Sequence, residues 1–310
     1  MRLVKHRNYW AVRLEDGRRV SLRTADIGEA EQRLEDLKRS AVRKKETIGQ
    51  VVDAYLKEKK EKPSIRGMKD AWKAAESFFG NMRPDQMSRQ LCREYAIKRK
   101  VSAGTVRKEL GIIRQALKWH DPKTVPEIEL PTAPPPKERF LTKDEARRLE
   151  DACTTPHLKL FVQLALKTAA RRGALLDLTW SQVDLKRAEI TLSKGVQTSK
   201  GRATVPINET LLDALKTAKK DSLSPYVITY AGQRVKSVNK GFREACERAG
   251  LKGVTPHTLR HTAATWMVQA GRPMHDVAAY LGHTNIQTTY RTYSKFTAEH
   301  LRASADALDY

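Results

Sequence analysis

Apolar residues recur at helical spacing along most of the chain, and strand-like alternation is confined to a few short stretches. Residues 8–24 read as a β-hairpin. Tyr9-Trp10-Ala11-Val12-Arg13-Leu14 partly alternates, Asp16-Gly17 supplies the turn, and the Arg-rich segment 18–23 returns. A helix over 27–40 follows, with Ile27, Ala30, Leu34 and Leu37 on one face. Thr47-Ile48-Gly49-Gln50 has the form of a capping box ahead of Val51, Val52, Tyr55 and Leu56. Further helices are expected at 67–80, 87–99 and 103–119. The last carries the stripe Val106, Leu110, Ile113 and Leu117. Beyond a proline run, Thr142-Lys143-Asp144-Glu145 opens a second helical region with helices at 143–153, 157–169, 173–179, 208–220 and 237–250. Strand-like segments at 189–192 and 202–207 are too short for a central β-layer, so the sheet should be small and lateral. From residue 257 the pattern is helical again, interrupted at Gly271-Arg272-Pro273.

This pattern predicts a mainly α fold with small β-sheets (α+β) in several parts. A β-hairpin and helix form a head over 1–45. A helical domain covers 46–125. A linker over 126–139 contains Pro131-Thr132-Ala133-Pro134-Pro135-Pro136, stiff and poor in backbone donors. A mixed α/β domain fills 140–310. Its tail, 294–310, has Phe296, Leu301, Ala305 and Leu308 at amphipathic spacing.

Charge changes the picture. The chain of 310 residues holds 59 Lys+Arg against 36 Asp+Glu, a formal net charge of +23, which makes a polyanion the natural partner. No apolar run is long enough to span a bilayer, and the polar N-terminus does not resemble a signal peptide. Cys92, Cys153 and Cys246 lie far apart without a Cys-x-x-Cys pair. They point to neither a disulfide framework nor a zinc site, and they fit a reducing cytoplasm. Within this basic chain His257, Arg260, His283 and Tyr293 follow one another in the last part of the sequence. A phenol is a weak nucleophile near neutrality, and it becomes useful where cations stabilise charge on the group it attacks. The combination points to attack on a nucleic-acid phosphodiester.

Three boxes carry a family resemblance. The first is Thr168-Ala169-Ala170-Arg171-Arg172-Gly173-Ala174-Leu175-Leu176, followed by Leu178-Thr179-Trp180 and Asp184. The second is Thr255-Pro256-His257-Thr258-Leu259-Arg260-His261-Thr262-Ala263-Ala264-Thr265. The third is Leu281-Gly282-His283, with Thr288-Thr289 between it and Tyr293. In this order residues 140–293 resemble the catalytic domain of the tyrosine recombinases, the phage-integrase family. Residues 46–125 resemble its helical, SAM-like core-binding domain, and residues 1–45 resemble the small arm-type DNA-binding heads of some integrases. Ala169 stands where the family carries glycine, and Ala174 where it carries an acid.

The resemblance implies a site-specific DNA recombinase that integrates or excises a prophage or other mobile element through a covalent 3′-phosphotyrosyl intermediate. It assigns the attack to Tyr293 and the grip on the phosphate to Arg171 and Arg260. It gives His257 the tyrosine proton, His283 a hydrogen bond to a phosphate oxygen, and Lys200 the protonation of the departing 5′ oxygen. Lys194 is the runner-up to Lys200, and Tyr290 is the rival of Tyr293. His261 and His275 read as structural or exposed residues. Arg172, Lys194, Arg107, Lys108 and Arg114 are candidate DNA-backbone contacts. Fixed cations take the place of a metal, so neither metal, cofactor nor ATP is implied. The implied partners are double-stranded attachment sites, further copies of the chain in a tetrameric synapse, and an accessory DNA-bending protein. The location implied is the cytoplasm, at the nucleoid, without a membrane. The tail over 294–310 would then dock on a neighbouring subunit or cap its own domain. Topoisomerase-IB-like nicking and closing, or a DNA-binding regulator that lost catalysis, are the alternatives.

Overall fold

The structure is a computed structural model. It describes the chain except residues 7, 15–16, 44–45, 134–137, 193–202, 221, 297–307 and 309–310, and for residues 39–43 it describes the backbone alone. The chain divides into two compact units, Met1–Pro135 and Pro136–Tyr310.

The first unit opens with three antiparallel strands in sheet order, β1 (Arg2–His6), β2 (Tyr9–Arg13) and β3 (Arg19–Ser21). The expected hairpin is the β2–β3 pair. β1 is an addition the pattern did not announce, because five residues with two adjacent apolar positions show no alternation. Pairing reveals it: Leu3 lies opposite Val12, and Val12 opposite Val20. Helix α1 (Ile27–Arg43) covers this sheet through a small core of Val12, Leu22, Ala30 and Leu34, against which Leu3 and Trp10 pack.

Four further helices build a second core in this unit: α2 (Ile48–Glu58), α3 (Ile65–Phe79), α4 (Arg89–Arg99) and α5 (Ala103–His120). Thr47 and Gln50 cap α2 reciprocally, as their spacing predicts. The start of α2 sits so close to the end of α3 that a Cβ at Gly49 would lie 2.9 Å from the Gly80 carbonyl oxygen. Ile48, Val52, Trp72, Phe79, Tyr95, Leu110 and Ile113 fill the interior. Glu109, 2% exposed, is held by the Tyr95 hydroxyl at 2.7 Å and by two bonds from Arg99 at 2.7 and 3.1 Å. Lys108 and Arg114 are exposed on α5. Arg107, also exposed, commits one guanidinium nitrogen to the Pro131 carbonyl at 2.8 Å.

The second unit begins with α6 (Lys143–Asp151), capped by the Thr142–Glu145 box, and α7 (Pro156–Thr168). After α8 (Arg172–Leu176) come β4 (Val183–Asp184), β5 (Glu189–Leu192) and β6 (Ala203–Pro206), an antiparallel sheet in that order. Then follow α9 (Glu209–Lys220), a two-residue hairpin of β7 (Thr229–Tyr230) and β8 (Gln233–Arg234), and α10 (Asn239–Arg248). The chain continues through α11 (Pro256–Gln269), α12 (Met274–Leu281) and α13 (Ile286–Tyr293) to a single 3₁₀ turn at Ser294–Phe296.

The β7–β8 hairpin escaped the sequence pattern because its strands are two residues long and its turn is Ala231-Gly232. Both residues have positive φ (48° and 74°), as a two-residue hairpin of the primed type requires, but alanine does not advertise that conformation. α8 ends at Leu176, short of the expected 179, and the segment beyond it turns to bring Trp180 into the core.

α7 is buried nearly all round, with Leu158, Phe161, Val162, Leu164 and Ala165 at most 2% exposed. Each of the leucine, valine and phenylalanine side chains contributes about 1.5–3 kcal/mol of burial. α7 packs on α11, which is likewise buried from Thr258 to Thr265. Two polar side chains of α11 bond the strap that enters the unit. Thr262 accepts from the Leu141 amide at 2.9 Å and Trp266 donates to the Leu141 carbonyl at 2.9 Å. These two helices form the platform for the site.

Candidate active site

Local chemistry at three chain reversals places the site. Thr255 caps α11, with Pro256 at its first position, so His257 and Arg260 fall one turn apart on the same side. α7 stops at Ala169, which adopts the left-handed conformation (φ 51°, ψ 21°) and turns its carbonyl inward. α12 stops at Gly282, also left-handed (φ 60°), and the His283 amide donates back to the Ala278 carbonyl at 3.0 Å.

Arg260 joins the three reversals. Only 5% exposed, it donates from Nη1 to the Ala169 carbonyl at 2.6 Å, and from Nη2 to the Leu281 carbonyl at 2.8 Å and to His283 Nε2 at 3.1 Å. A guanidinium only donates, so His283 Nε2 is the acceptor and the ring proton sits on Nδ1. Nδ1 in turn donates to Thr289 Oγ1 at 2.8 Å. Burial, then the charges of Arg260 and Arg171, push the His283 pKa down to about 4, so the ring is neutral near pH 7. Burial, then repulsion from Arg171, lowers Arg260 to about 10, which leaves it charged near pH 7.

Arg171 precedes α8 and its charge is felt by Arg260, His257 and His283, so the four groups converge. Arg172 points elsewhere, is exposed, and donates to Asn239 Oδ1 at 3.0 Å. His257 is exposed as a residue, but its ring lies deep enough for burial, ahead of Arg260 and Arg171, to lower its pKa.

Tyr293 and Tyr290 part company. Tyr293 is 5% exposed and packs among Ala169, Ala264, Val268, Val277 and Leu281, whereas Tyr290 is 45% exposed. Burial raises the Tyr293 pKa and Arg260 opposes the rise. A cleft of about 400 Å³ is lined by His257, Arg260, His261, His283, Arg291 and Tyr293, among others. His261, which the sequence reading treats as a bystander, lies with its ring 5.2 Å from that of Tyr293 at 30°. Its Nε2 is buried without a hydrogen-bond partner among the described residues. His275 is exposed and lies 3.3 Å from Asp276. Lys194 and Lys200 lie outside the described residues. Among the described residues no group of three or more His, Cys, Asp or Glu converges as metal ligands.

In the structure Nε2 of His283 accepts a bond from Arg260, so the ring proton lies on the other nitrogen. The site also recruits groups that the motif reading passed over, namely the carbonyls of Ala169 and Leu281 and the Thr289 hydroxyl. The only sequence signal for them was the Thr288-Thr289 pair and the alanine in a glycine position, since a carbonyl leaves no mark in a sequence.

The profile described as the phage integrase family matches residues 139–300, just over half of the chain and all of the cleft. The chain belongs to the phage integrase family. The integrase of Salmonella phage P22 is 30% identical over 205 residues, covering 62% of this chain and 52% of that protein. The chain thus spans about half the length of that relative. Tyrosine recombinase XerA of Thermococcus onnurineus (strain NA1) is 28% identical over 228 residues, covering 66% and 76%. Two solved structures share the fold. The Tn1549 transposon integrase in complex with circular intermediate DNA has a TM-score of 0.70 at 18% identity and covers 84% of this chain and 99% of that chain. A lambda integrase tetramer bound to a Holliday junction has a TM-score of 0.64 at 17% identity and covers 91% and 95%. As in the sequence reading, this phage-integrase chain is α+β, mainly helical with small sheets.

Proposed function

We propose that the protein is a site-specific DNA recombinase that cleaves and rejoins strands through a covalent bond between Tyr293 and a 3′ phosphate. The observation that carries this reading is the placement of Tyr293 in the same cleft as buried, charged Arg260, with Arg171, His257 and His283 around it. The Tyr293 oxygen attacks phosphorus, the bond to the 5′ oxygen breaks, and the 5′ hydroxyl leaves. Reversal by a 5′ hydroxyl from another strand reseals the backbone without an external energy source.

Arg171 and Arg260 stabilise the charge that builds on the nonbridging oxygens. Three of the five guanidinium N–H donors of Arg260 are engaged by protein acceptors, so two remain for phosphate. His257, neutral and at the edge of the cleft, takes the phenolic proton. Lys200, or Lys194 in its place, protonates the leaving oxygen. Lys108 and Arg114 on α5, with Arg172 and Arg107, meet backbone phosphates and make binding fall steeply with salt.

The relatives suggest the setting. The P22 relative is an integrase, and the solved neighbours hold DNA, one of them as a tetramer on a Holliday junction. We infer that this chain integrates or excises a phage or other mobile element by pairing its attachment sites in an assembly of several copies, with an accessory bending protein as a further partner.

A nicked suicide duplex carrying the attachment site, taken from DNA flanking the gene, tests the reading. Wild type traps a covalent protein–DNA band and Tyr293→Phe does not. A band that survives in Tyr293→Phe but is lost in Tyr290→Phe transfers the role to Tyr290. No band from wild type on any flanking sequence removes the enzyme and favours a DNA-binding regulator.

A further inference from the structure

We propose that Thr289 is a positioning residue whose hydroxyl decides which nitrogen of His283 carries the proton, switching from acceptor to donor when DNA binds. The inference rests on the recombinase reading for the phosphate, and its starting state is the hydrogen-bond pattern around His283.

Thr289 is fully buried on α13, one helical turn before Tyr293 and on the same side. In the structure Arg260 Nη2 donates to His283 Nε2 and His283 Nδ1 donates to Thr289 Oγ1. In that tautomer His283 presents no hydrogen to the cleft. Carrying both protons is disfavoured, because burial and two nearby guanidinium groups oppose the charged ring. To donate from Nε2, the neutral ring must therefore give up its Nδ1 proton, and the bare Nδ1 then needs a donor in the protein interior.

Thr289 meets this need because a hydroxyl both donates and accepts and can rotate between the two. In the switched state Thr289 O–H donates to Nδ1 and Nε2–H donates to a phosphate oxygen. One proton leaves Nδ1 and one joins Nε2, so the charge of the ring is unchanged. The Arg260 Nη2–H that had bonded Nε2 is released, which gives the guanidinium a third free donor for the phosphate. A side chain of the same shape without a hydroxyl can stabilise neither state.

The test combines ring-nitrogen NMR with cleavage kinetics on the full chain, using ¹⁵N-histidine labelling and the nicked suicide duplex. In the DNA-free protein the His283 proton is expected on Nδ1. In a Tyr293→Phe complex with the duplex, which cannot cleave, it is expected on Nε2. Thr289→Val should bind DNA with the wild-type Kd yet cleave about ten- to a hundredfold more slowly at saturating DNA, by analogy with loss of one transition-state donor. Thr289→Ser should restore the rate to within about threefold of wild type, since it keeps the hydroxyl.

A His283 proton that stays on Nδ1 in the complex overturns the proposal. So does a wild-type rate for Thr289→Val, or a Thr289→Ser protein as slow as Thr289→Val. Should Thr289→Val fail to fold, the two NMR states of the threonine-containing proteins decide alone. Absence of any covalent band from wild type would instead overturn the recombinase reading, leaving the DNA-free tautomer as a separate observation.

Discussion

Arg260 Nη1 donates to the carbonyl of Ala169 at 2.6 Å across 91 residues of sequence. The acceptor is available only because Ala169 adopts the left-handed conformation at the end of α7. An L-residue there bears a steric cost of about 1–2 kcal/mol that glycine avoids, though glycine loses more chain entropy on folding. Ala169→Gly is therefore expected to keep the site and to stabilise the protein by about 0.5 kcal/mol, with DNA cleavage unchanged. Chemical denaturation and single-turnover cleavage check it. A loss of stability together with cleavage would mean that the alanine methyl, packed near Tyr293, matters more than the strain.

Arg260 serves structure and chemistry at once. Lysine offers a point charge and cannot reach two carbonyls and an imidazole with a rigid fork. Arg260→Lys should lower cleavage by about a hundredfold or more, and Arg260→Ala should destabilise by about 2–3 kcal/mol because two buried carbonyls lose their donor. Urea titrations measure the second effect. A fully active Arg260→Lys protein would contradict the first, and an Arg260→Ala protein as stable as wild type the second.

The histidines of the cleft set a pH limit on stability. The ordinary His283 pKa of 6.5 falls to about 4 in the fold, and burial also lowers those of His257 and His261. Between the two His283 values the unfolded chain holds the proton and the folded chain does not. Stability is thus fully present above about 6.5 and declines as pH falls toward 4. His283 is half-buried, so its share should stay below the limit of about 1.4 kcal/mol per pH unit for a single proton. Urea midpoints at pH 7, 6 and 5 should fall in that order for wild type, and less steeply for His283→Asn. Equal slopes would show that His283 does not titrate in this window.

His261 packs its ring on Tyr293 and meets Phe296 edge-on at 5.9 Å, while Phe296 meets Phe140 at 5.4 Å. This row holds the phenol from one side, with His261 Nε2 buried and unpartnered among the described residues. His261→Phe should cleave at close to the wild-type rate, and His261→Ala should slow cleavage by about tenfold while leaving DNA affinity intact, since a small misplacement of a nucleophile is costly. Rates for His261→Phe as low as for His261→Ala would assign the nitrogen a chemical part instead.

Much of this was legible in the chain itself. Thr47 with Gln50 and Thr142 with Glu145 marked helix starts because capping is a local interaction. The stripes of α2 and α5 marked their buried faces for the same kind of reason. The ordered boxes named Arg171, His257, Arg260, His283 and Tyr293 as one set, and the excess of lysine and arginine named a polyanion as partner.

Only tertiary packing could decide the rest. Tyr290 and Tyr293 are alike in sequence, and the core around α11 and α12 separates a buried phenol from an exposed one. Arg171 and Arg172 are adjacent, and the turn after α7 sends one toward Arg260 and the other toward Asn239. The proton on His283 depends on Arg260 on one flank and Thr289 on the other, brought together by three chain reversals. Sequence fixes what short-range contacts fix: caps, periodicity and residue type. Backbone carbonyls, burial and tautomers belong to groups distant along the chain, so their energies exist only once the helices have packed.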